Sequence, residues 1–171
     1  KNILWGLDTF SFIDKYYEKN NLPDAHFRFN GQFIVRRLNQ QTPKDYQLMA
    51  RAGCTHVMIG TETGSDRVRE HMRKQFTTAE LAAVIDQLDK NDLNCFFSMI
   101  CGYPTERQED HQQTLDMFTN FKKYALNGTI TGLNLGATLS VDEGTPLFNE
   151  MTDLGLMHLG DTGDRVGLNW L

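Results

Sequence analysis

The alternation of short apolar runs with longer helical patterns is the feature that most constrains the fold of this chain. Apolar runs that predict strands begin near residues 3, 26, 55, 94 and 130, and a helical pattern follows each of the first four. Strands separated by helices in this way favour parallel pairing through right-handed crossovers. The sequence therefore predicts an α/β fold, either part of a βα barrel or an open doubly wound sheet.

Threonines mark the starts of three predicted helices. Thr42, Thr77 and Thr105 each stand three residues before an Asp, Glu or Gln, which is the spacing of a capping box. Apolar residues then recur at helical intervals, and we predict that these stripes face the core rather than a cofactor. The two clearest stripes are Leu81, Val84, Ile85 and Leu88, and Leu115, Phe118, Phe121 and Tyr124.

The length and the charge of the chain exclude several classes of protein. Its 171 residues can hold about five βα units, whereas a complete eight-unit barrel needs about 250 residues. The net charge of −5 predicts neither a nucleic-acid surface nor a membrane anchor. No apolar run reaches the ~18 residues that a membrane span needs. Three cysteines without a C-x-x-C pair indicate a reducing compartment, and we expect a cytoplasmic protein.

Small and polar residues follow the predicted strands. Asp8 and Thr9 follow the first strand, the turn G-T-E-T-G-S at 60–65 follows the third, and residues 102–106 follow the fourth. Ligands of parallel α/β folds bind at the carboxyl ends of the strands, so these residues predict a site at one edge of the sheet. Glu62 could accept hydrogen bonds from hydroxyl or amino groups of a ligand. An ordinary turn with a solvated Glu62 and a helix-initiating Asp8 are open alternatives.

The cysteines and histidines do not predict a metal site. Cys54 and Cys95 each begin a predicted strand, at the end away from the site, and we expect both in the core. Cys101 stands at a strand end, and core packing is favoured there as well. The five histidines contain no H-E-x-x-H pattern and no tight cluster.

Three segments, in this order, resemble motifs of the radical S-adenosylmethionine (radical SAM) enzymes. The first runs from A-G-C at 52–54 through I-G-T-E-T-G-S at 59–65 to R-K-Q-F-T at 73–77. The second is I-C-G-Y-P-T-E at 100–106. The third is E-G-T-P-L-F at 143–148, followed by L-G-L at 154–156. The chain looks most similar to the branch whose members often carry an upstream cobalamin-binding domain.

The resemblance implies a partial (βα)6 barrel. Residues 1–157 would supply its second to sixth strands, and residues 158–171 would form a C-terminal extension. The resemblance also implies a parent iron–sulfur enzyme, either an oxidoreductase or methyltransferase-like, that acts on a small-molecule substrate. In this family a four-iron four-sulfur cluster reductively cleaves S-adenosylmethionine to a 5′-deoxyadenosyl radical. Cobalamin is a second cofactor that the branch suggests.

The resemblance further assigns residues to this site. Asn134 and Gly136, on the sixth barrel strand, would approach the substrate. Arg28, Arg36 and Arg37 are candidates for an arginine of the third barrel strand. The residues matched to the S-adenosylmethionine site are Asp8, Thr9, Glu62, Gly64, Ser65, Ile100, Gly102, Tyr103 and Pro104.

The chain departs from the family in one respect that bears on activity. The family holds its cluster with a C-x-x-x-C-x-x-C loop after the first barrel strand, and these 171 residues contain no such loop. We therefore expect the loop, and any cobalamin-binding domain, upstream of Lys1, and we expect the isolated chain to be inactive. A strand at residues 3–7 without its neighbour would also favour a homodimer through that edge.

Two other functions are compatible with the same residues. The first is a non-catalytic binding or scaffold module derived from the barrel. The second is a cluster-free α/β enzyme that uses Asp8 and Glu62 as an acid–base pair.

Overall fold

The computed structural model describes residues 3–36, 41–135, 139–141, 143–150, 153–155 and 166–167. Helices and strands alternate along most of this length. The helices are α1 (Ile3–Lys19), α2 (Pro43–Ala52), α3 (Asp66–His71), α4 (Thr78–Lys90), α5 (Gln108–Asn120), α6 (Lys122–Leu126) and α7 (Pro146–Glu150). The strands are β1 (Phe29–Phe33), β2 (Cys54–Glu62), β3 (Asn94–Met99), β4 (Ile130–Asn134), β5 (Ser140–Val141) and β6 (Val166–Gly167).

Strands β1 to β4 form one sheet in the order of the chain. Each strand pairs in parallel with the next. Ile59 of β2 lies between Phe33 of β1 and Phe97 of β3, and Phe97 in turn lies opposite Leu133 of β4. The short strands β5 and β6 pair antiparallel with each other. The predicted α/β architecture with parallel strands is confirmed.

The strand predicted at residues 3–7 is wrong, because these residues begin helix α1. A short apolar run does not by itself distinguish a strand from a turn of helix. Here the helical spacing of Phe10 and Tyr17 extends back to the start of α1. The ring of Phe10 stacks on Phe29 at 5.6 Å, and the Tyr17 hydroxyl donates to the carbonyl of Ala52 at 3.2 Å. The described sheet therefore has its edges at β1 and β4, and residues 3–7 are not an edge strand for a homodimer.

Two of the three predicted helix starts are confirmed. Thr42 and Thr77 are the N-caps of α2 and α4. Helix α5 begins at Gln108 rather than after Thr105, because the carboxylate of Asp110 accepts the backbone N–H of Arg107 at 2.9 Å. A charged carboxylate is a stronger acceptor than the amide of Gln108, so the helix starts two residues later than predicted, with Asp110 capping the N–H of Arg107.

The core lies between the helices and one face of the sheet. The predicted stripe of α4 is buried throughout, and Val57, Ile59 and Phe97 of the sheet pack in the same cluster. The prediction for the second stripe is wrong at Leu115 of α5, which is 45% exposed. Met117 of the same helix is buried in the core instead. Within the described part of the chain, no helix is long and apolar enough to cross a membrane.

Candidate functional site

The sheet face opposite the core borders a cavity of about 780 Å³. Side chains alternate between the two faces of a strand, and in β2 the buried residues Val57 and Ile59 alternate with the more exposed Met58 and Gly60. The cavity is bordered by such outward-facing residues and by the loop after α3. Its lining includes Gln32, Met58, Gly60, Glu62, Arg73, Lys74 and Ser98.

Glu62 ends β2 in an unusual backbone conformation. Its φ angle is +63°, in the left-handed region that residues other than glycine rarely adopt. The pairing of β2 with β3 shifts between Gly60 and Glu62, and the N–H of Ile100 donates to the carbonyl of Glu62 at 2.8 Å. Non-glycine residues held in this region cluster at binding and catalytic sites. The bulge brings the Glu62 side chain into the lining of the cavity.

The Glu62 carboxylate is paired with a cation from the loop after α3. Lys74 Nζ lies 2.7 Å from Glu62 Oε1, and the Glu62 side chain is only 13% exposed. The backbone N–H of Lys74 donates to the carbonyl of Arg69 at 2.9 Å, which ties the loop to the end of α3. In the sequence, Lys74 is notable only as part of the R-K-Q-F-T motif at 73–77. No local spacing predicts that it pairs with Glu62, which lies twelve residues earlier.

The cavity carries more positive than negative side chains. Among its described lining residues, Arg36, Arg73 and Lys74 accompany the single acidic residue Glu62. Of the three predicted arginine candidates, Arg36 lines the cavity, Arg28 is exposed before β1, and Arg37 lies outside the described residues. A cavity with one carboxylate and several cations suits a ligand that carries both an ammonium and a carboxylate group.

A smaller cavity of about 310 Å³ shares Glu62, Arg73 and Lys74 with the first. It is also lined by Ile100 and Tyr103, two of the residues matched to the S-adenosylmethionine site. The Tyr103 ring is almost completely buried, which raises the pKa of its hydroxyl, and the negative charge of Glu150 acts in the same direction. The structure therefore brings Glu62, Ile100 and Tyr103 together.

Four other matched residues lie in the turns after β2 and β3, and three of them make hydrogen bonds within the protein. The N–H of Gly64 donates to Thr114 Oγ1 at 2.9 Å, and the buried Ser65 hydroxyl donates to Asp110 at 2.6 Å. Gly102 has a φ angle of +73° and donates to the carboxylate of Glu106 at 3.1 Å, and Pro104 follows in the same turn. These contacts shape the two turns that flank the smaller cavity. A role of these four residues in the site stays a prediction.

The remaining matched residues either line neither of the two cavities or lie outside the described residues. Asp8 and Thr9 are in α1 rather than at a strand end, which corrects their predicted placement, and they line neither of the two cavities. Asn134 lies on β4 opposite Ser98 of the cavity lining. Gly136 lies outside the described residues.

Comparison with known proteins places the chain in a family. The profile of the radical SAM superfamily matches residues 3–118, more than half of the chain. This chain belongs to the radical SAM superfamily. The resemblance of its motifs to this family is thereby confirmed.

Named relatives of this radical SAM chain are longer proteins. The tRNA-2-methylthio-N(6)-dimethylallyladenosine synthase of Christiangramia forsetii is 37% identical over 71 residues, which are 40% of this chain and 15% of the synthase. The synthase of the same name from Flavobacterium psychrophilum is 28% identical over 116 residues, 61% of this chain and 24% of the synthase. The chain thus spans about a quarter or less of each of these relatives.

Solved structures confirm the fold as part of a radical SAM barrel. The radical S-adenosylmethionine methyltransferase TsrM from Kitasatospora setae, with cobalamin and a [4Fe-4S] cluster bound, gives a TM-score of 0.69 at 19% identity. The match covers 92% of this chain and 28% of TsrM. The cobalamin-dependent enzyme OxsB gives 0.66 at 14% identity, over 85% of this chain and 27% of OxsB.

The described residues of this radical SAM chain do not fit an iron–sulfur cluster. Cys54 and Cys95 are buried, and burial raises the pKa of both thiols, to about 12 for Cys95. Cys101 is exposed, so its predicted place in the core is wrong. Among the described residues no group of three or more His, Cys, Asp or Glu side chains could hold a metal ion. The residues around Glu62 do fit a zwitterionic organic ligand.

Proposed function

We propose that this chain is the S-adenosylmethionine-binding portion of a radical SAM enzyme and that Glu62 is central to its site. The observation that carries the proposal is the Glu62–Lys74 ion pair at the carboxyl end of β2, on the lining of the large cavity. Ligands of parallel α/β folds bind at this end of the strands. The family match supports S-adenosylmethionine as the ligand.

The charges around Glu62 match the two ends of that ligand. Glu62 can accept hydrogen bonds from an ammonium group or from ribose hydroxyls, and Lys74, Arg73 and Arg36 can donate to a carboxylate. Ile100 and Tyr103 add apolar and aromatic surface in the neighbouring cavity. The left-handed bulge at Glu62 directs its side chain into the cavity before the ligand arrives, which reduces the entropy cost of binding.

Within the whole protein we propose that this site serves a methyltransferase-like enzyme with an iron–sulfur cluster. When bound, the cluster and S-adenosylmethionine supply the radical chemistry of the family. The residues of this chain bind and orient the ligand and exclude water from it.

The similar proteins support two candidate substrates. TsrM and OxsB, both with cobalamin bound, support cobalamin as a further cofactor, and the tryptophan substrate of TsrM supports a small molecule as the substrate. The synthases named above modify tRNA, which makes tRNA the second candidate substrate.

Isothermal titration calorimetry of the 171-residue chain with S-adenosylmethionine tests the binding proposal. We expect saturable binding that Glu62→Gln weakens about tenfold or more, because a hydrogen bond to a charged group contributes about 1.5–3 kcal/mol. Glu70→Gln is the matched control, because Glu70 is an exposed glutamate on α3. Absence of saturable binding by the chain, or equal affinity of the Glu62→Gln variant and the wild-type protein, would contradict the proposal.

Anaerobic reconstitution of the whole protein with iron and sulfide tests the enzymatic proposal. We expect the absorbance of an iron–sulfur cluster and release of 5′-deoxyadenosine when S-adenosylmethionine and a reductant are added. A whole protein that binds S-adenosylmethionine but takes up no cluster would instead be a non-catalytic module. A product search with tRNA and with small-molecule acceptors separates the two candidate substrates.

A further inference from the structure

Three ionisable side chains from different segments meet at the smaller cavity. Tyr103 follows β3, His71 ends α3, and Glu150 ends α7. The Tyr103 hydroxyl lies 3.0 Å from His71 Nδ1, and Glu150 Oε2 lies 3.5 Å from His71 Nε2. The rings of His71 and Tyr103 meet edge to face, with centroids 5.6 Å apart. His71 is thus the central member of a chain of polar contacts.

Both ring nitrogens of His71 face a partner. Nδ1 is within hydrogen-bonding distance of the Tyr103 hydroxyl, and Nε2 faces the Glu150 carboxylate. Two partners at the two ends of the ring restrict its rotation. The Tyr103 side chain is 7% exposed, so loss of the imidazole nitrogen leaves its hydroxyl with little access to water.

Helix α7 depends on such contacts for its position. It has five residues, too few for a stable isolated helix. Leu147 and Phe148 pack on Val141, and Pro146, Leu147 and Glu150 line the smaller cavity. The contact from Glu150 to His71 joins α7 to the segment that also carries Arg73 and Lys74.

We propose that His71 is a positioning residue that fastens α7 and the Tyr103 ring in place as two walls of the smaller cavity. The ligand-binding part of this inference rests on the proposed function, because the smaller cavity shares Glu62, Arg73 and Lys74 with the large one. The structural part, the fastening of α7, stands independently of any ligand. His71 also lines the smaller cavity, and the role proposed for it is exerted through Tyr103 and α7.

Hydrogen–deuterium exchange of the α7 amides in the 171-residue chain tests the structural part. His71→Phe keeps the ring and its edge-to-face contact but removes both nitrogens. We expect exchange at Phe148, Asn149 and Glu150 to accelerate about fivefold, the equivalent of one lost hydrogen bond. His71→Asn keeps a polar atom near the Nδ1 position and should restore part of the protection. Exchange within twofold of wild type in His71→Phe would overturn the proposal.

The control and the ligand measurement separate this inference from the proposed function. His111→Phe changes an exposed histidine on α5 and should leave exchange in α7 unchanged. Affinity for S-adenosylmethionine, measured by calorimetry, should fall about fivefold in His71→Phe and not in His111→Phe. Faster exchange with unchanged affinity would overturn the link to the site. A wild-type chain that binds no S-adenosylmethionine contradicts the proposed function, and the exchange data then still decide whether His71 holds α7.

Discussion

The carboxylate of Glu62 occupies the space beside Gly60 that a side chain at position 60 would need. A β-carbon built on Gly60 would stand 2.7 Å from Glu62 Oε1 and 3.2 Å from Lys74 Nζ. Both of these atoms are at the ends of flexible side chains, which can move aside at little cost. A larger residue at position 60 would therefore displace the ion pair and leave the backbone of β2 in place.

Gly60→Ala should separate ligand binding from folding. We expect the free energy of unfolding to change by less than about 1 kcal/mol, because only side-chain ends must move. Affinity for S-adenosylmethionine should fall about fivefold or more, because the Glu62 carboxylate shifts from its place in the cavity. Urea unfolding and calorimetry measure the two effects. Gly31→Ala is the control, because a β-carbon there meets no atom within 4 Å. A loss of stability above about 2 kcal/mol in Gly60→Ala would show that the backbone of β2 has to move.

Gly64→Ala, unlike Gly60→Ala, should strongly destabilise the fold. A β-carbon on Gly64 would stand 2.4 Å from the Cα of Thr114 and 2.7 Å from its backbone N, and these atoms belong to the rigid backbone of α5. We expect a loss of at least about 2 kcal/mol in the free energy of unfolding, from overpacking and displacement of the helix. Urea unfolding of this variant beside Gly31→Ala provides the measurement. Equal stabilities of the two variants would show that α5 can move away from the turn.

Asp110 should make the stability of the chain depend on pH in the acid range. Hydrogen bonds from the Arg67 guanidinium and the Ser65 hydroxyl hold the pKa of this buried carboxyl well below its usual range. Because the pKa is lower in the folded than in the unfolded chain, the stabilisation is complete above about pH 4. It is lost as the pH falls through the lower native value.

Asp110→Asn measures this contribution. We expect this substitution to lower the free energy of unfolding by about 2 kcal/mol at pH 7. The difference in unfolding free energy between the variant and the wild-type chain should become smaller below about pH 4. Asp86→Asn is the control, because Asp86 pairs with Lys90 on the surface of α4, and loss of an exposed pair should leave stability nearly unchanged. Urea unfolding at pH 7 and pH 3 gives the comparison. A difference of the same size at both pH values would mean that ionisation of Asp110 contributes nothing.

The three cysteines should differ sharply in reactivity. Cys54 and Cys95 are buried with raised thiol pKa values, whereas Cys101 is exposed at the end of β3. A disulfide reagent added at pH 8 should modify one thiol per native chain rapidly and all three after denaturation, because the reaction requires an accessible thiolate. Cys101→Ser should abolish the rapid phase. Rapid modification of two or more thiols in the native chain would contradict the burial of Cys54 and Cys95.

The sequence predicted the elements whose signals are local. Thr42 and Thr77 are caps as expected, the α4 stripe is buried, and the motif around Glu62 identified both the family and the carboxyl end of β2. Residues 3–7 were predicted incorrectly because a short apolar run fits a strand and a helix equally well. Packing of Phe10 and Tyr17 favours the helix, and this packing involves residues far along the chain.

Pairings between distant residues were decided only by the tertiary structure. No spacing predicts that Lys74 neutralises Glu62, that Gly60 leaves room for this pair, or that His71 joins Tyr103 to Glu150. Such contacts depend on where the strands and helices end in space, and small shifts of those ends remove them. The motifs therefore determined the family, and the residues that follow the strands predicted the edge of the sheet at which the candidate site lies. The assignment of Gly64 and Ser65 to turn packing, and of Glu62 to the cavity, required the three-dimensional arrangement of β2, α3 and α5.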